Sequence, residues 1–426
     1  MLAVRQSQKI TIEGGQPLKG SIPISGSKNA SLPLLSACLL TPEPITLTNV
    51  PRLADTRLMG EILTALGAEV IGSGEEMRVR AGVVSSEVSA ELAGKLRGSI
   101  VLLGALLARV GRVRLPLPGG DEIGARRIGE HLRALRALGA SIEELPDGIL
   151  ATAPRGLSGA QIVLDLPTVT GTENIMLAAS LAQGQTEIHN AAREPHVQDL
   201  ARLLKSMGAR VEGAGSELIV IEGVSELNGC HHRVVPDYLE AGTYAFAVAA
   251  IGGDVSFTES APQDLRHTLL KLEQVGCQVE TRPGLIRIIR DAEQPLRAVD
   301  LVTWVHPGFP TDLQAQYLTL MTQATGASLI QEWLYENRFR QVPELIKMGA
   351  EIEVKGRDAL VHGPSRLHGA SVRVPDIRSG AALVIAALCA EGLSELEHCW
   401  HLDRGYQDLV GKLSALGARV SSDSGD

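Results

Sequence analysis

At 426 residues and 44% apolar, the chain is too long for one small core and apolar enough for two packed domains. Only 3% of residues are aromatic, the formal charge is −9 and no Lys/Arg run occurs, which excludes a base-stacking single-strand binder and a duplex binder with a basic face, so no nucleic-acid partner is expected. Five scattered cysteines, with no Cys-x-x-Cys pair, exclude a disulfide framework and a zinc pattern and fit reduced, mostly buried thiols in a cytoplasmic protein.

The start of the chain, Met1 to Lys9, lacks the apolar stretch of a signal peptide. The longest apolar runs, near Ile100–Ala108 and Ala381–Ala390, fall short of the ~20 residues that span a bilayer, so no membrane partner is expected. The first clear helix covers 58–66, where Leu58, Ile62, Ala65 and Leu66 share a face. It stops at Gly67, and Ala68-Glu69-Val70 begins a short strand. The same helix end and strand start return at Gly139, Gly208, Gly276, Gly349 and Gly417. Successive gaps of 72, 69, 68, 73 and 68 residues identify a duplicated folding unit rather than chance Leu-Gly-Ala triplets. Glu217–Ile221 and Gly284–Ile289 read as further strands, so each copy mixes helices and strands. Six copies divide into two groups of three, and Val234-Val235-Pro236-Asp237 marks a boundary between them.

Seven motifs are spread along the chain: Ser25-Gly26-Ser27-Lys28-Asn29-Ala30, Leu96-Arg97-Gly98-Ser99, Leu117–Arg126, Asn190–Pro195, His306–Asp312, Glu336-Asn337-Arg338-Phe339 and Asp403-Arg404-Gly405-Tyr406. In this order they resemble the enolpyruvyl transferase family over nearly the whole length of the chain. The resemblance implies an α/β fold, a two-domain inside-out α/β barrel of six βαβαββ-like repeats, three per domain. Residues 28–235 would form the first domain, carrying the Pro-Gly-Gly-Asp loop, and 1–27 plus 236–426 the second, with the active site in the cleft between them. The implied substrates are phosphoenolpyruvate and UDP-N-acetylglucosamine, with no metal or organic cofactor. The shikimate-pathway members share the repeat but lack the Ala-Ala-Arg-Glu-Pro and Glu-Asn-Arg-Phe signatures. A paralogue that binds a UDP-sugar without turnover is the non-enzymatic rival.

Two anionic substrates call for forked guanidinium donors. By resemblance Lys28, Asn29, Arg126, Arg378 and Arg404 contact phosphoenolpyruvate. Arg378 stands in Asp376-Ile377-Arg378-Ser379, where the family motif usually has Leu before the arginine and Ala after it. For the UDP-sugar the resemblance points to Arg97, Arg126, Arg127, Ile128, Gly129 and Glu130, to Thr168, Val169 and Thr170, and to Asp312, Leu334 and Arg338. Arg127 replaces the family's usual proline, and Thr168–Thr172 replaces a Ser-Val-Gly-Ala-Thr stretch, departures that bear on the uracil contacts more than on the chemistry. The implied catalytic residues are Asp121, Asp312, Lys28 and Arg404. Asp312 is the base for the sugar hydroxyl, with an N-cap for the helix beginning at Leu313 as the alternative use of the same oxygens. Asp121 stands where many relatives carry a cysteine that donates a proton and reacts with fosfomycin. A carboxylic acid can donate that proton if its surroundings raise its pKa, and Glu122 adds a like charge next door. A carboxylate attacks an epoxide far less readily than a thiolate, so fosfomycin insensitivity is expected. A turn residue after Gly119-Gly120 is the plainer reading of Asp121, and Pro118-Gly119-Gly120 reads as a mobile lid.

Overall fold

Each of the six repeat glycines ends a helix with a left-handed backbone, with φ running from 91° at Gly417 to 119° at Gly276. The structure, a computed structural model, describes residues 9–120 and 123–423. In all six copies the residue after the glycine returns its N–H to the carbonyl five positions back, as in Ala68 to Leu63 and Ala418 to Leu413, at 2.9–3.0 Å. This closure satisfies carbonyls that the helix end leaves open, and it needs a residue that tolerates positive φ. Any side chain there would add about 1–2 kcal/mol of strain.

The strands form six small sheets that share one plan. In the first, Ile45–Thr48 runs parallel to His231–Arg233 and antiparallel to Glu76–Arg80, which pairs antiparallel with Glu69–Gly72. The same parallel–antiparallel–antiparallel sequence recurs around Gln185–His189, Gly253–Ser260, Ala324–Gln331 and Leu393–Glu397. Around Arg112–Pro116 the parallel partner shrinks to one bridge between Arg114 and Glu87. The fold is therefore mixed α/β, built on one repeated unit.

Among the described residues the chain separates into two units. The first holds residues 26–120 and 126–235, and the second holds 9–25, 123–125 and 236–423. Three sheets fall in each. The first core gathers residues such as Leu35, Leu103, Leu106, Ile175 and Leu200, and the second Tyr244, Phe246, Phe309, Tyr317 and Ile385. Several helices are buried nearly all round, polar residues included, among them Val169–Ala179, Tyr238–Ile251 and Ile377–Cys389. Close approach is met by glycine where it is needed: a Cβ on Gly104 would lie 2.2 Å from the Asn174 carbonyl oxygen.

This arrangement places polar chemistry at the starts of buried helices. Lys28 is the first residue of helix Lys28–Ala37, and Arg97 opens the 3-10 turn that leads into Leu102–Val110. Thr168 caps Val169–Ala179, and Asp237 caps Tyr238–Ile251. Asp312 lies in the 3-10 turn before Gln314–Met321, and Arg378 is the second residue of Ile377–Cys389. A helix start presents unpaired N–H groups and a positive dipole end, the local field that anions prefer.

Candidate active site

In the second unit one carboxylate gathers two arginines. Asp312 Oδ1 accepts from Arg338 Nη2 at 2.6 Å, and Oδ2 accepts from Arg378 Nε at 3.2 Å and Nη2 at 3.1 Å. Both guanidiniums are buried, while the Asp312 side chain keeps 25% of its surface exposed. The helix Gln314–Met321 has Leu313 as its N-cap and no side-chain cap, so the capping alternative for Asp312 is not what that helix uses. Burial works against the Arg378 cation, but Asp312 and Tyr406 outweigh it and hold its pKa above the usual arginine value. The Tyr406 hydroxyl bonds Arg378 Nη1 at 3.2 Å, Thr243 Oγ1 at 3.0 Å and Gln316 Nε2 at 3.2 Å. Arg404 lies in the 3-10 turn Cys399–Arg404, two residues before Tyr406, and Leu334 lies four before Arg338. Asp312, Arg338, Arg378, Arg404 and Leu334 thus belong to one unit.

In the first unit Arg97 Nη2 donates to the Arg126 carbonyl. A Cβ on Gly120 would meet Arg97 Cβ at 2.6 Å and Arg126 Nη1 at 3.1 Å, so the Gly-Gly stretch and these two arginines lie together. Lys28 Nζ reaches Asp55 Oδ2 at 3.5 Å, with Asn29 the next residue of the same helix. Ile128, Gly129 and Glu130 begin helix Gly129–Ala137, and Glu130 pairs with Arg133 and accepts the Asp165 N–H at 3.3 Å. Arg127 shows no role that the geometry singles out. Asp121 lies outside the described residues. Just beyond it, Ile123–Ala125 packs with the second unit: Glu336 accepts the Ala125 N–H at 2.7 Å, and Asn337 donates to the Ile123 carbonyl at 3.2 Å.

Sequence reasoning passed over the residue that ties Thr170 down. His131 is buried, with Nε2 3.2 Å from Thr170 Oγ1 and Nδ1 2.8 Å from Asn174 Nδ2. Asn174 is oriented by the Gly104 N–H on its oxygen and the Ile100 carbonyl on its nitrogen, so it must donate to His131. His131 therefore accepts at Nδ1 and donates from Nε2 as a neutral ring. Burial, aided by Arg97, pushes its pKa down to about 3. Glu173, one turn into the Thr168-capped helix, is also buried, and burial together with Glu194 raises its carboxyl well above the usual range. No local pattern marks either residue, because each is defined by neighbours distant in sequence. Among the described residues no group of His, Cys, Asp and Glu is arranged to hold a metal ion, and no helix is long and apolar enough to cross a membrane. None of the cysteines is in a disulfide, and burial pushes the Cys277 thiol up to about 11 and Cys389 to about 12.

Six copies of one α/β repeat, three to a unit, carry arginine and carboxylate groups at buried helix starts. The chain superposes on the enolpyruvyl transferase NikO from Streptomyces tendae with a TM-score of 0.88 and 27% identity, covering 99% of this chain and 100% of that one. EPSP synthase from Acinetobacter baumannii, at 16% identity and a TM-score of 0.76, shares the fold over 98% of this chain. Residues 12–413 match the family described as EPSP synthase (3-phosphoshikimate 1-carboxyvinyltransferase), and the chain belongs to that family. Among its relatives, UDP-N-acetylglucosamine 1-carboxyvinyltransferase from Sorangium cellulosum is 49% identical over 96% of this chain and 97% of its own length. The protein of the same name from Solibacter usitatus is 47% identical over 97% of this chain and 99% of its own length.

Proposed function

We propose that the protein transfers the enolpyruvyl group of phosphoenolpyruvate to the 3′-hydroxyl of UDP-N-acetylglucosamine, releasing phosphate, as the first committed step of peptidoglycan precursor synthesis in the cytoplasm. The observation that carries the reading is Asp312 between Arg338 and Arg378. A carboxylate so held is a fixed proton acceptor, and its two guanidiniums are donors for a diphosphate or a carboxylate. Proton uptake at Asp312 requires at least one guanidinium to turn to a substrate anion, which couples binding to the chemistry. Asp312 takes the proton of the sugar hydroxyl as its oxygen bonds to C2 of phosphoenolpyruvate. C3 receives a proton from Asp121, giving a tetrahedral intermediate. Loss of a C3 proton and departure of phosphate from C2 then restore the double bond in the product. Lys28, Arg126 and Arg404 neutralise the phosphate as it leaves. Arg97 with Arg126, and the Thr168–Thr170 helix start, are assigned to the UDP-sugar.

The shikimate alternative is disfavoured by the names of the relatives at 47–49% identity over nearly full length. Phosphate release tests both readings. Release is expected from phosphoenolpyruvate with UDP-N-acetylglucosamine and not with shikimate 3-phosphate. Asp312→Asn should lower kcat by about 10²–10⁴-fold, the range for loss of a general base. Turnover of the variant within threefold of the parent, or a preference for shikimate 3-phosphate, overturns the assignment.

A further inference from the structure

Glu332 follows the last residue of strand Ala324–Gln331 and is 1% exposed. A buried carboxylate without hydrogen bonds would be costly, and this one is engaged at both oxygens. Oε2 accepts from Thr311 Oγ1 at 2.8 Å. Oε1 accepts from the Leu334 N–H at 2.8 Å and the Tyr335 N–H at 3.1 Å. No arginine or lysine is among these partners, so Glu332 spends its charge on two pieces of backbone and one hydroxyl. Those pieces matter. Thr311 is the residue before Asp312, and Leu334-Tyr335 leads to Arg338, whose guanidinium lies 5.2 Å from the Tyr335 ring centroid and bonds Asp312 at 2.6 Å.

We propose that Glu332 is a positioning residue for the sugar side of the site: its carboxylate fixes the Thr311–Asp312 turn and the Leu334–Arg338 turn in one mutual register. Among the described residues the two turns meet at the Asp312–Arg338 pair and at Glu332, and the second meeting is the more deeply buried. Without it, Asp312 and Arg338 remain attracted but the backbone on either side is free to shift. A displacement of about 1 Å can cost about a hundredfold in rate when it moves a reacting group. The assignment rests on Asp312 acting on the sugar hydroxyl, as proposed above. It predicts a substrate-specific defect, since Asp312, Leu334 and Arg338 are the sugar-side residues.

Three variants test it: Glu332→Ala, Glu332→Gln and Thr311→Val, with Asp312→Asn as the control. Glu332→Ala should raise KM for UDP-N-acetylglucosamine about tenfold or lower kcat/KM for it by more, while KM for phosphoenolpyruvate stays within twofold. Glu332→Gln keeps an oxygen for the two N–H groups and offers an N–H to Thr311 Oγ1, so it should stay within threefold of the parent. Thr311→Val, which is close in shape, should move the same constant in the same direction by a smaller factor. The double variant should be no worse than Glu332→Ala alone, because Glu332→Ala already removes the Thr311 contact. An equal rise in KM for both substrates, additive effects, or a Glu332→Ala enzyme indistinguishable from the parent overturns the inference. If Glu332→Ala does not fold, Thr311→Val and Glu332→Gln still decide: a Thr311→Val enzyme unchanged for the sugar, or a Glu332→Gln enzyme as poor as a null, rejects it. An active Asp312→Asn sinks the functional reading itself, whereas an inactive one beside an unaffected Glu332→Ala rejects only the positioning role.

Discussion

At position 121 an expectation rests on the functional group alone, a carboxylate in place of a thiol. A thiolate opens an epoxide readily and a carboxylate does not, while either group can carry a proton to carbon. The parent enzyme should therefore keep full activity after incubation with excess fosfomycin, and Asp121→Cys should become inactivated with time. Mass spectrometry of the variant would show one adduct, and inactivation of the parent at stoichiometric drug would contradict the expectation. Asp312 is the contrasting case. Its position after Pro310-Thr311 allowed either a cap or a base, and local sequence does not choose. In the fold Arg338 and Arg378, 26 and 66 positions away, bond its two oxygens, and the helix Gln314–Met321 has no side-chain cap.

Among the elements, the short helix Leu409–Ala415 brings a buried cation from its last turn to a carboxylate in the first turn of helix Tyr238–Ile251. Lys412 Nζ lies 2.7 Å from Glu240 Oε1 and 2.7 Å from Ser25 Oγ, and Glu240 Oε2 accepts the Ser25 N–H at 2.7 Å. Burial pushes the Glu240 carboxyl up, and Lys412 and the Ser25 amide pull it back only in part. Removing the cation leaves a buried carboxylate without its counter-charge. Lys412→Met should destabilise the second unit by about 3–5 kcal/mol, read as a lower urea midpoint, and Lys412→Met with Glu240→Gln should lose less than Lys412→Met alone. An unchanged midpoint would remove this cluster from the structural account. The repeat itself was legible at this scale because its signals are local. Helical spacing of apolar residues and a glycine at the left-handed position need no partner from elsewhere, and all six glycines adopt that backbone.

For the whole molecule, neutral His131 ties stability to pH. Its folded pKa of about 3 lies below the unfolded value, so the unfolded chain binds a proton that the folded one refuses. Stability is therefore lost as pH falls below about 6.5 and continues to fall toward the folded value, at about 1.4 kcal/mol per pH unit from this group. The unfolding midpoint should drop between pH 6.5 and 4.5, and His131→Asn should show a shallower slope over that window. An identical slope in both proteins would mean that His131 is not the group responsible. Glu173 acts with the opposite sign, since a raised folded pKa gives stability that is lost as pH rises.

The sequence by itself determined the repeat, its period, the helix ends and the family motifs, because periodicity and glycine chemistry act over a few residues. It also named Asp312, Arg338 and Arg378 among the site residues, Arg378 for the other substrate, though only through resemblance. The tertiary structure alone decided that those three touch, that His131 is a neutral donor to Thr170, and that Glu332 joins two turns. Each of these depends on groups brought together from separate repeats or strands. Burial then decides what they do, since in a dry interior a hydrogen-bond partner sets both charge and orientation.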